Sequence, residues 1–229
     1  DPDRPDEFDS PRGNMVFYKP MVGALIDNVE TVADEIERFN IGTLMVDSAI
    51  PACGGEAESP KAAEEFFMAL RAVKPRDRDI ATLIISHITK EAARDNGQSS
   101  SPFGSTVWRD RARDTYELKA SARKTAGHID FAVHHRKSNM SAIRKPFGLR
   151  LTWDGARVEP LDIKDNNELV GTLTIEEQVE IELNKAGSMT LDELAEEIGA
   201  AKGSISSILS RSDMFESVDG RWAPSGVNF

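Results

Sequence analysis

The stretch "IGTLMVDSAIPACGGEAES", residues 41–59, decides the fold class. Its apolar run ends on a carboxylate, Asp47, and a glycine-containing turn then leads to Ser59-Pro60, a dipeptide typical of a helix start. An apolar run that does not alternate with polar residues predicts a strand of a parallel sheet covered on both faces. An aspartate at the tip of such a strand calls for a functional explanation.

The flanking segments complete an alternating pattern of strands and helices. Residues 15–18, "MVFY", read as a short strand, and residues 25–41 as an amphipathic helix. A second helix is predicted after Pro60, and a second unalternated strand in "IATLIISHITK", residues 80–90. This order predicts an α/β fold with a doubly wound parallel sheet.

Composition narrows the class of protein. The 229 residues suffice for one large domain, or for a medium domain and a small one. No apolar run approaches the roughly 18–20 residues that span a bilayer, so no membrane segment is predicted. A single cysteine, Cys53, excludes an internal disulfide and predicts a reducing, cytoplasmic setting. The net charge of −11 argues against a protein coated with nucleic acid but leaves room for a local basic stripe.

Two polar residues follow the predicted parallel strands, at the edge where such sheets bind ligands. They are Asp47 and His87. In one interpretation Asp47 caps the next turn and His87 is a hydrogen-bonded rim histidine. In the other, Asp47 orients a magnesium ion, directly or through water, and His87 senses a phosphate group.

Positive charge is concentrated in residues 109–150, where eleven Lys/Arg stand against four Asp/Glu, a local charge of +7. Such a concentration favours an anionic partner over a merely solvated surface. The candidates for nucleic-acid contact in this stretch are Arg109, Arg111 and Arg113. The preceding polar loop, residues 94–104, is either a mobile functional loop or a plain surface loop, and Trp108 is expected in the core.

Four segments occur in an order that resembles a known family. They are "TLMVDSAIPACGGEAES", "TLIISHITK", "SPFGSTVWRDRARDTYEL" and "FAVHHRKSN". Together, over roughly residues 14–162, they resemble the RecA-like ATPases of the RepA/DnaB helicase-related group. The resemblance implies a protein of replication helicase or initiator type, in a plasmid, phage or mobile-element context.

The resemblance also implies roles for individual residues. Asp47, with Ser48 beside it, would serve the magnesium ion of bound ATP, and His87 would report on the γ-phosphate. Arg136 and Lys137 resemble finger residues that reach into a neighbouring subunit's ATP site, which implies a homo-oligomeric ring such as a hexamer. The loop 94–104 would face the channel and contact single-stranded DNA; double-stranded DNA is the alternative partner.

The chain departs from this family in one respect. No phosphate-binding loop of the form G-x-x-x-x-G-K-[ST] occurs in it, and Lys124-Thr125 and Lys137-Ser138 lack the preceding glycines. ATP and magnesium are therefore expected only in a complete protein, with the incomplete sheet lacking its phosphate-loop strand. The polar arm at residues 1–13, which begins without methionine, is read as a cut end. The alternative is a diverged, non-catalytic binding module.

A second, smaller domain is predicted after a polar linker at residues 163–172. Residues 173–224 show three amphipathic helices and a hairpin, with a capping box at Thr190 and Glu193. This pattern resembles a winged helix-turn-helix, an α+β domain. Its third helix would offer Lys202 and Arg211 to DNA. Eleven acidic residues against four basic ones in residues 172–222 favour a partner protein instead, or weak DNA positioning.

Overall fold

The computed structural model describes residues 7–10, 13–16, 22–87, 104–121 and 127–226. The chain divides into two compact units, which are described separately. The first comprises Asp1–Thr89 and Ser101–Ala112, and the second comprises Lys90–Ser100 and Arg113–Phe229. None of the described helices is long and apolar enough to cross a membrane.

The first unit begins with a strand pair and continues as a βαβ arrangement. Its elements are β1 Glu7–Ser10, β2 Gly13–Val16, α1 Val29–Arg38, β3 Thr43–Asp47, α2 Ala49–Ala52, α3 Pro60–Ala72, β4 Ala81–Ile85 and α4 Val107–Arg111. The strands β1 and β2 are antiparallel. The residues predicted as a flexible arm therefore contain β1, which its charged, non-alternating sequence does not reveal. Of the predicted strand 15–18, residues 17 and 18 lie outside the described part.

The parallel sheet is smaller than predicted. In the described residues it consists of β3 and β4 alone, paired from Thr43↔Ala81 to Asp47↔Ile85. Its helices cover one face, and on the other Met45 is 63% exposed and Leu83 is 52% exposed. The expectation of cover on both faces is wrong for the described residues, because apolar side chains also occupy the exposed positions of each strand.

An aromatic cluster holds the helical side of this unit together. Phe66 and Phe67 of α3 pack against Trp108 of α4, with ring centroids 5.1 and 5.7 Å from the indole. The indole Nε1 donates a hydrogen bond of 3.0 Å to the carbonyl of Ala57. Trp108 is 5% exposed, which confirms its predicted place in the core. Gly104 has a φ of +109°, and a Cβ there would collide with the Ala57 carbonyl, so this close approach requires glycine.

Both ends of this helical layer are fixed by local chemistry. The Ser59 hydroxyl accepts a hydrogen bond of 3.4 Å from the amide of Ala62, and Pro60 occupies the first turn, as the sequence predicts. At the other end of the layer, the Arg78 guanidinium donates hydrogen bonds to the carbonyls of Ile36 and Ile41. Ile36 belongs to the last turn of α1 and Ile41 follows the helix, so Arg78 binds both the end of α1 and the segment after it.

The second unit contains a four-stranded antiparallel sheet in the order β5-β6-β7-β8. Its strands are β5 Asp114–Ala120, β6 His128–Ser138, β7 Phe147–Thr152 and β8 Arg157–Leu161. β6, which contains most of the segment "FAVHHRKSN" of the family resemblance, thus belongs to an antiparallel sheet rather than to a doubly wound parallel one. A hairpin with Asp154-Gly155 in its turn joins β7 and β8. The chain is accordingly mixed α/β, with a small parallel sheet and a separate antiparallel one.

Helices and a hairpin complete the second unit. They are α5 Asn167–Val170, α6 Ile175–Ala186, α7 Leu191–Ile198, α8 Lys202–Arg211, β9 Phe215–Val218 and β10 Arg221–Pro224. The capping box of Thr190 and Glu193 is confirmed at the start of α7, and Gly199 ends that helix in a left-handed conformation with φ +70°. Val179, Leu183, Leu194, Ile205 and Leu209 form the core of these helices.

The segment predicted as a linker is structured and partly buried. It contains α5, and Leu169 is 0% exposed within it. Leu169 packs with Ala132 of β6 and with Ile181 of α6. The sequence suggested a linker because polar residues outnumber the few apolar residues that are buried in this segment. The sheet and the helices that follow it therefore share a hydrophobic cluster.

Candidate functional site

The carboxyl edge of β3 and β4 brings the two leading candidates to the same side of the parallel sheet. Asp47 is the last residue of β3 and pairs in register with Ile85, the last residue of β4. His87 follows two residues later along the same direction. Both side chains are exposed, whereas Ser48 is 9% exposed. The N-cap position of α2 is Ser48 rather than Asp47, so the capping interpretation of Asp47 has no support from this helix.

The donor set at this edge fits one kind of metal chemistry only. Among the described residues, no group of three or more His, Cys, Asp or Glu side chains could hold a metal ion. Magnesium is commonly bound by one or two carboxylates together with the phosphates of a nucleotide. Asp47 meets that requirement, whereas a metal held by protein ligands alone does not fit.

The predicted finger residues lie near the end of β6, in the other unit. The Arg136 guanidinium donates from Nε to Glu117 Oε2 at 2.7 Å, and the side chains are 15% and 6% exposed. Arg136 is therefore engaged within its own sheet. Lys137 is half-buried and pairs in register with Thr115, which lies on the same face of β5 as Glu117. A register shift between β5 and β6 falls beside Arg136, so the two cations do not alternate regularly between the faces of the sheet.

The predicted nucleic-acid contacts before β5 are partly engaged by neighbouring groups. Arg111 of α4 forms hydrogen bonds of 2.7 and 3.1 Å with Glu64 Oε1, and this bond raises the pKa of Arg111. Arg109 and Arg113 are exposed. Of the loop 94–104, all but Gly104 lies outside the described residues.

The two basic residues predicted on the third C-terminal helix also have partners. Lys202 lies 2.7 Å from Asp192 Oδ1, and Arg211 Nε donates to the carbonyl of Ser207 at 3.0 Å. Between them α8 exposes Ser204, Ser207 and Ser210. The exposed surface of α8 therefore carries small polar side chains rather than a strong positive charge.

The sequence did not reveal a buried polar layer between the antiparallel sheet and the helices. His134 is 1% exposed, and its Nε2 lies 3.1 Å from the Thr172 hydroxyl, which itself donates to the Leu169 carbonyl at 2.7 Å. Because that hydroxyl gives its proton to Leu169, it accepts from Nε2–H, which fixes the neutral tautomer of His134. Burial lowers the pKa of His134 to about 4.

A second part of this layer is an ion pair. Arg150 binds Asp130 through Nε at 2.7 Å and Nη2 at 2.9 Å, and Asn166 donates to the same carboxylate at 3.0 Å. The hydrogen bond from Arg150 is the main reason that the pKa of Asp130 lies below its usual value. The sequence signal was an acid and histidines inside an otherwise apolar strand, a pattern that does not identify their partners.

A third polar group fixes the loop after β6. His135 Nε2 donates to Asp114 Oδ1 at 3.3 Å, and its Nδ1 accepts the amide of Arg144 at 3.2 Å. Its ring stacks on Tyr116 with centroids 4.6 Å apart and an angle of 11°. Both ring nitrogens are occupied, so His135 positions the loop and is not available as a base.

Comparison with known proteins does not assign the chain to a family. No protein-family model matches it, and a search of curated proteins finds no match.

Proposed function

We propose that this chain is part of a RecA-like, magnesium-dependent ATPase that acts on DNA, of the replication helicase or initiator type. The observation that carries the proposal is the shared carboxyl edge of β3 and β4, with Asp47 at the end of β3 and His87 two residues beyond the end of β4. Ligand sites of parallel sheets lie at this edge. The ordered family resemblance supports the same residues.

The proposed roles follow from the chemistry of each group. Asp47, beside Ser48, would orient a magnesium ion that also binds the phosphates of ATP, and His87 would contact the terminal phosphate. A bound magnesium nucleotide would supply the charge neutralisation that phosphoryl transfer needs. The chain has no glycine-rich loop ending in Lys-Ser or Lys-Thr, so a phosphate cradle would have to come from other residues.

Arg136 and Lys137 remain the proposed finger residues, within a homo-oligomeric ring. Because Arg136 binds Glu117 in its own sheet, it would have to leave that partner in order to reach a neighbouring site. Lys137, which pairs in register with Thr115 of β5, is the second of the two proposed residues.

The C-terminal helices support a winged helix-turn-helix as the second domain of the proposal. Three helices pack around one core, and the antiparallel pair of β9 and β10 follows the third. This supports a second candidate function, a non-catalytic module that binds DNA or a partner protein. The exposed serines of α8 and its paired basic residues favour a protein over DNA, because phosphate attraction would be small.

The hydrolysis of ATP tests the proposed function. We expect no magnesium-dependent turnover by the 229-residue chain, with or without single-stranded DNA, because it lacks a phosphate cradle. We expect weak binding of magnesium ATP, reduced about tenfold or more by Asp47→Asn, as for the loss of a metal ligand. Asp79→Asn is the matched control, because Asp79 is an exposed carboxylate at the amino end of β4.

The outcomes separate the possible sites. Equal loss of binding in the two variants, or unchanged binding in Asp47→Asn, would contradict the assignment of Asp47. Turnover that Asp47→Asn abolishes would support Asp47 and show that an unrecognised phosphate loop lies within these residues. Turnover that survives Asp47→Asn would place the active site elsewhere.

A further inference from the structure

The antiparallel sheet has an apolar face on the side away from its buried ion pairs. Directly paired residues of adjacent strands share a face. One row joins Leu118, Val133 and Phe147, and the neighbouring row joins Tyr116 and His135. The opposite face carries Glu117, His134 and Asp130, which are all buried.

The pattern of β5 is reversed relative to an ordinary edge strand. Its charged residues Glu117 and Lys119 are 7% and 9% exposed, whereas Tyr116 and Leu118 are 49% and 58% exposed. Phe147 of β7 is 45% exposed on the same face. A strand that buries its charges and exposes an aromatic and an aliphatic side chain presents a binding surface rather than a solvated one.

Tyr116 is held in a fixed orientation. Its ring lies on the His135 imidazole, and that imidazole is fixed by Asp114 on one side and by the Arg144 amide on the other. One face of the phenol ring is therefore occupied within the protein, and the side chain is still half exposed. A rigid aromatic ring loses little entropy when a planar ligand stacks on it.

Exposed cations flank this face. Arg113 directly precedes β5, and Arg144 and Lys145 close the loop that the His135 contact ties to the sheet. Lys145 pairs with Glu180 at 2.9 Å, but its side chain is 78% exposed, so the pair is a weak surface one. Asp114 and Glu180 are the acids beside them. These positive groups stand out because the whole chain carries −11.

We propose that this face, defined by Tyr116, Leu118 and Phe147 with Arg113, Arg144 and Lys145 beside it, binds single-stranded DNA. Tyr116 and Phe147 lie two strands apart and one row apart, roughly 10–12 Å, so each stacks on a separate base of one strand. The cations contact the phosphates between them. The charge complementarity selects a polyanion, and the separated aromatic rings select unpaired bases over a duplex.

The test is fluorescence anisotropy of a labelled oligothymidylate of about 20 nucleotides, without nucleotide or magnesium. We expect binding that weakens as salt rises and that exceeds binding to a duplex of equal length. Tyr116→Ala and Phe147→Ala should each weaken binding at least about fivefold, whereas Tyr116→Phe keeps the ring and should retain affinity. Arg157→Ala, an exposed change on the opposite face of the same sheet, should leave affinity unchanged.

The result is independent of the proposed ATP site, because Asp47→Asn should leave this binding unaltered. No binding at low salt would overturn the proposal, as would equal affinity in all variants with circular dichroism unchanged. Sedimentation measures the oligomeric state of the same variants and gives a further result that would overturn the proposal. If Tyr116→Ala converts an oligomer to single chains without altering DNA affinity, the face joins copies of the chain instead.

Discussion

Replacing Phe66 by alanine should lower the free energy of unfolding of the first unit by about 3–5 kcal/mol. The phenyl ring is 1% exposed and contacts both Phe67 and Trp108, so its removal leaves a cavity beneath the indole. We expect the loss in urea unfolding monitored by tryptophan fluorescence in a Trp153→Phe, Trp222→Phe background. Trp108 is then the single tryptophan, because the chain contains three.

The matched control for Phe66 lies on the same helix. Met68 is 60% exposed, and Met68→Ala should change the free energy of unfolding by less than about 0.5 kcal/mol. A Phe66→Ala loss below about 1 kcal/mol would contradict the packing of α3 against α4. Such a result would also count against the βαβ arrangement, because these helices cover the buried face of β3 and β4.

Acidification should destabilise the second unit through His134. The folded-state pKa of about 4 lies below the ordinary histidine pKa of 6.5, so the unfolded chain binds more protons between these two values. The contribution of His134 to the free energy of unfolding is therefore fully present above about pH 6.5. It is lost as the pH falls toward 4, by up to about 3 kcal/mol. Urea unfolding monitored by circular dichroism across this pH range measures the slope.

Two variants isolate the contribution of His134. His134→Gln keeps a donor for Thr172 but cannot titrate, so it should flatten the stability curve between pH 6.5 and 4. His87→Gln is the control, because His87 is exposed, and it should leave the slope unchanged. An identical slope in His134→Gln and the parent chain would show that His134 is not a neutral, buried link to Thr172.

Local sequence signals predicted individual elements well. Ser59-Pro60 and the capping box of Thr190 and Glu193 each satisfy amides within a few residues of themselves, so no distant partner is needed. The hairpin predicted within residues 173–224 forms from β9 and β10, and its turn residues Asp219-Gly220 are equally local. Elements whose stability is decided within one turn can be read directly from the chain.

The arrangement of the sheets was not predictable in this way. Whether β6 pairs with a parallel or an antiparallel neighbour depends on residues far along the chain, and the apolar sequence "HIDFAV" suits both. The burial of Glu117 was hidden for a related reason, because its partner Arg136 is nineteen residues away. Charged residues read as exposed unless a partner is known.

In the candidate site, too, local features could be predicted from the sequence and features that depend on distant residues could not. Asp47 could be placed at the end of a strand from its own apolar run, and His87 from the run of β4. The sequence did not show that, in the described part of the chain, one face of these strands is exposed, because Met45 and Leu83 are as apolar as buried residues. The state of Arg136, bound to Glu117, also required the structure.

The magnesium nucleotide site is tested most directly by paramagnetic broadening of amide resonances by Mn²⁺ with ATP, in which Mn²⁺ stands in for Mg²⁺. We expect selective broadening at Asp47, Ser48 and His87, abolished by Asp47→Asn and retained in Asp79→Asn. Asp79 lies roughly 20 Å away, at the other end of the strand pair. Broadening centred on Asp79, or none at the carboxyl edge of β3 and β4, would contradict the proposed magnesium nucleotide site.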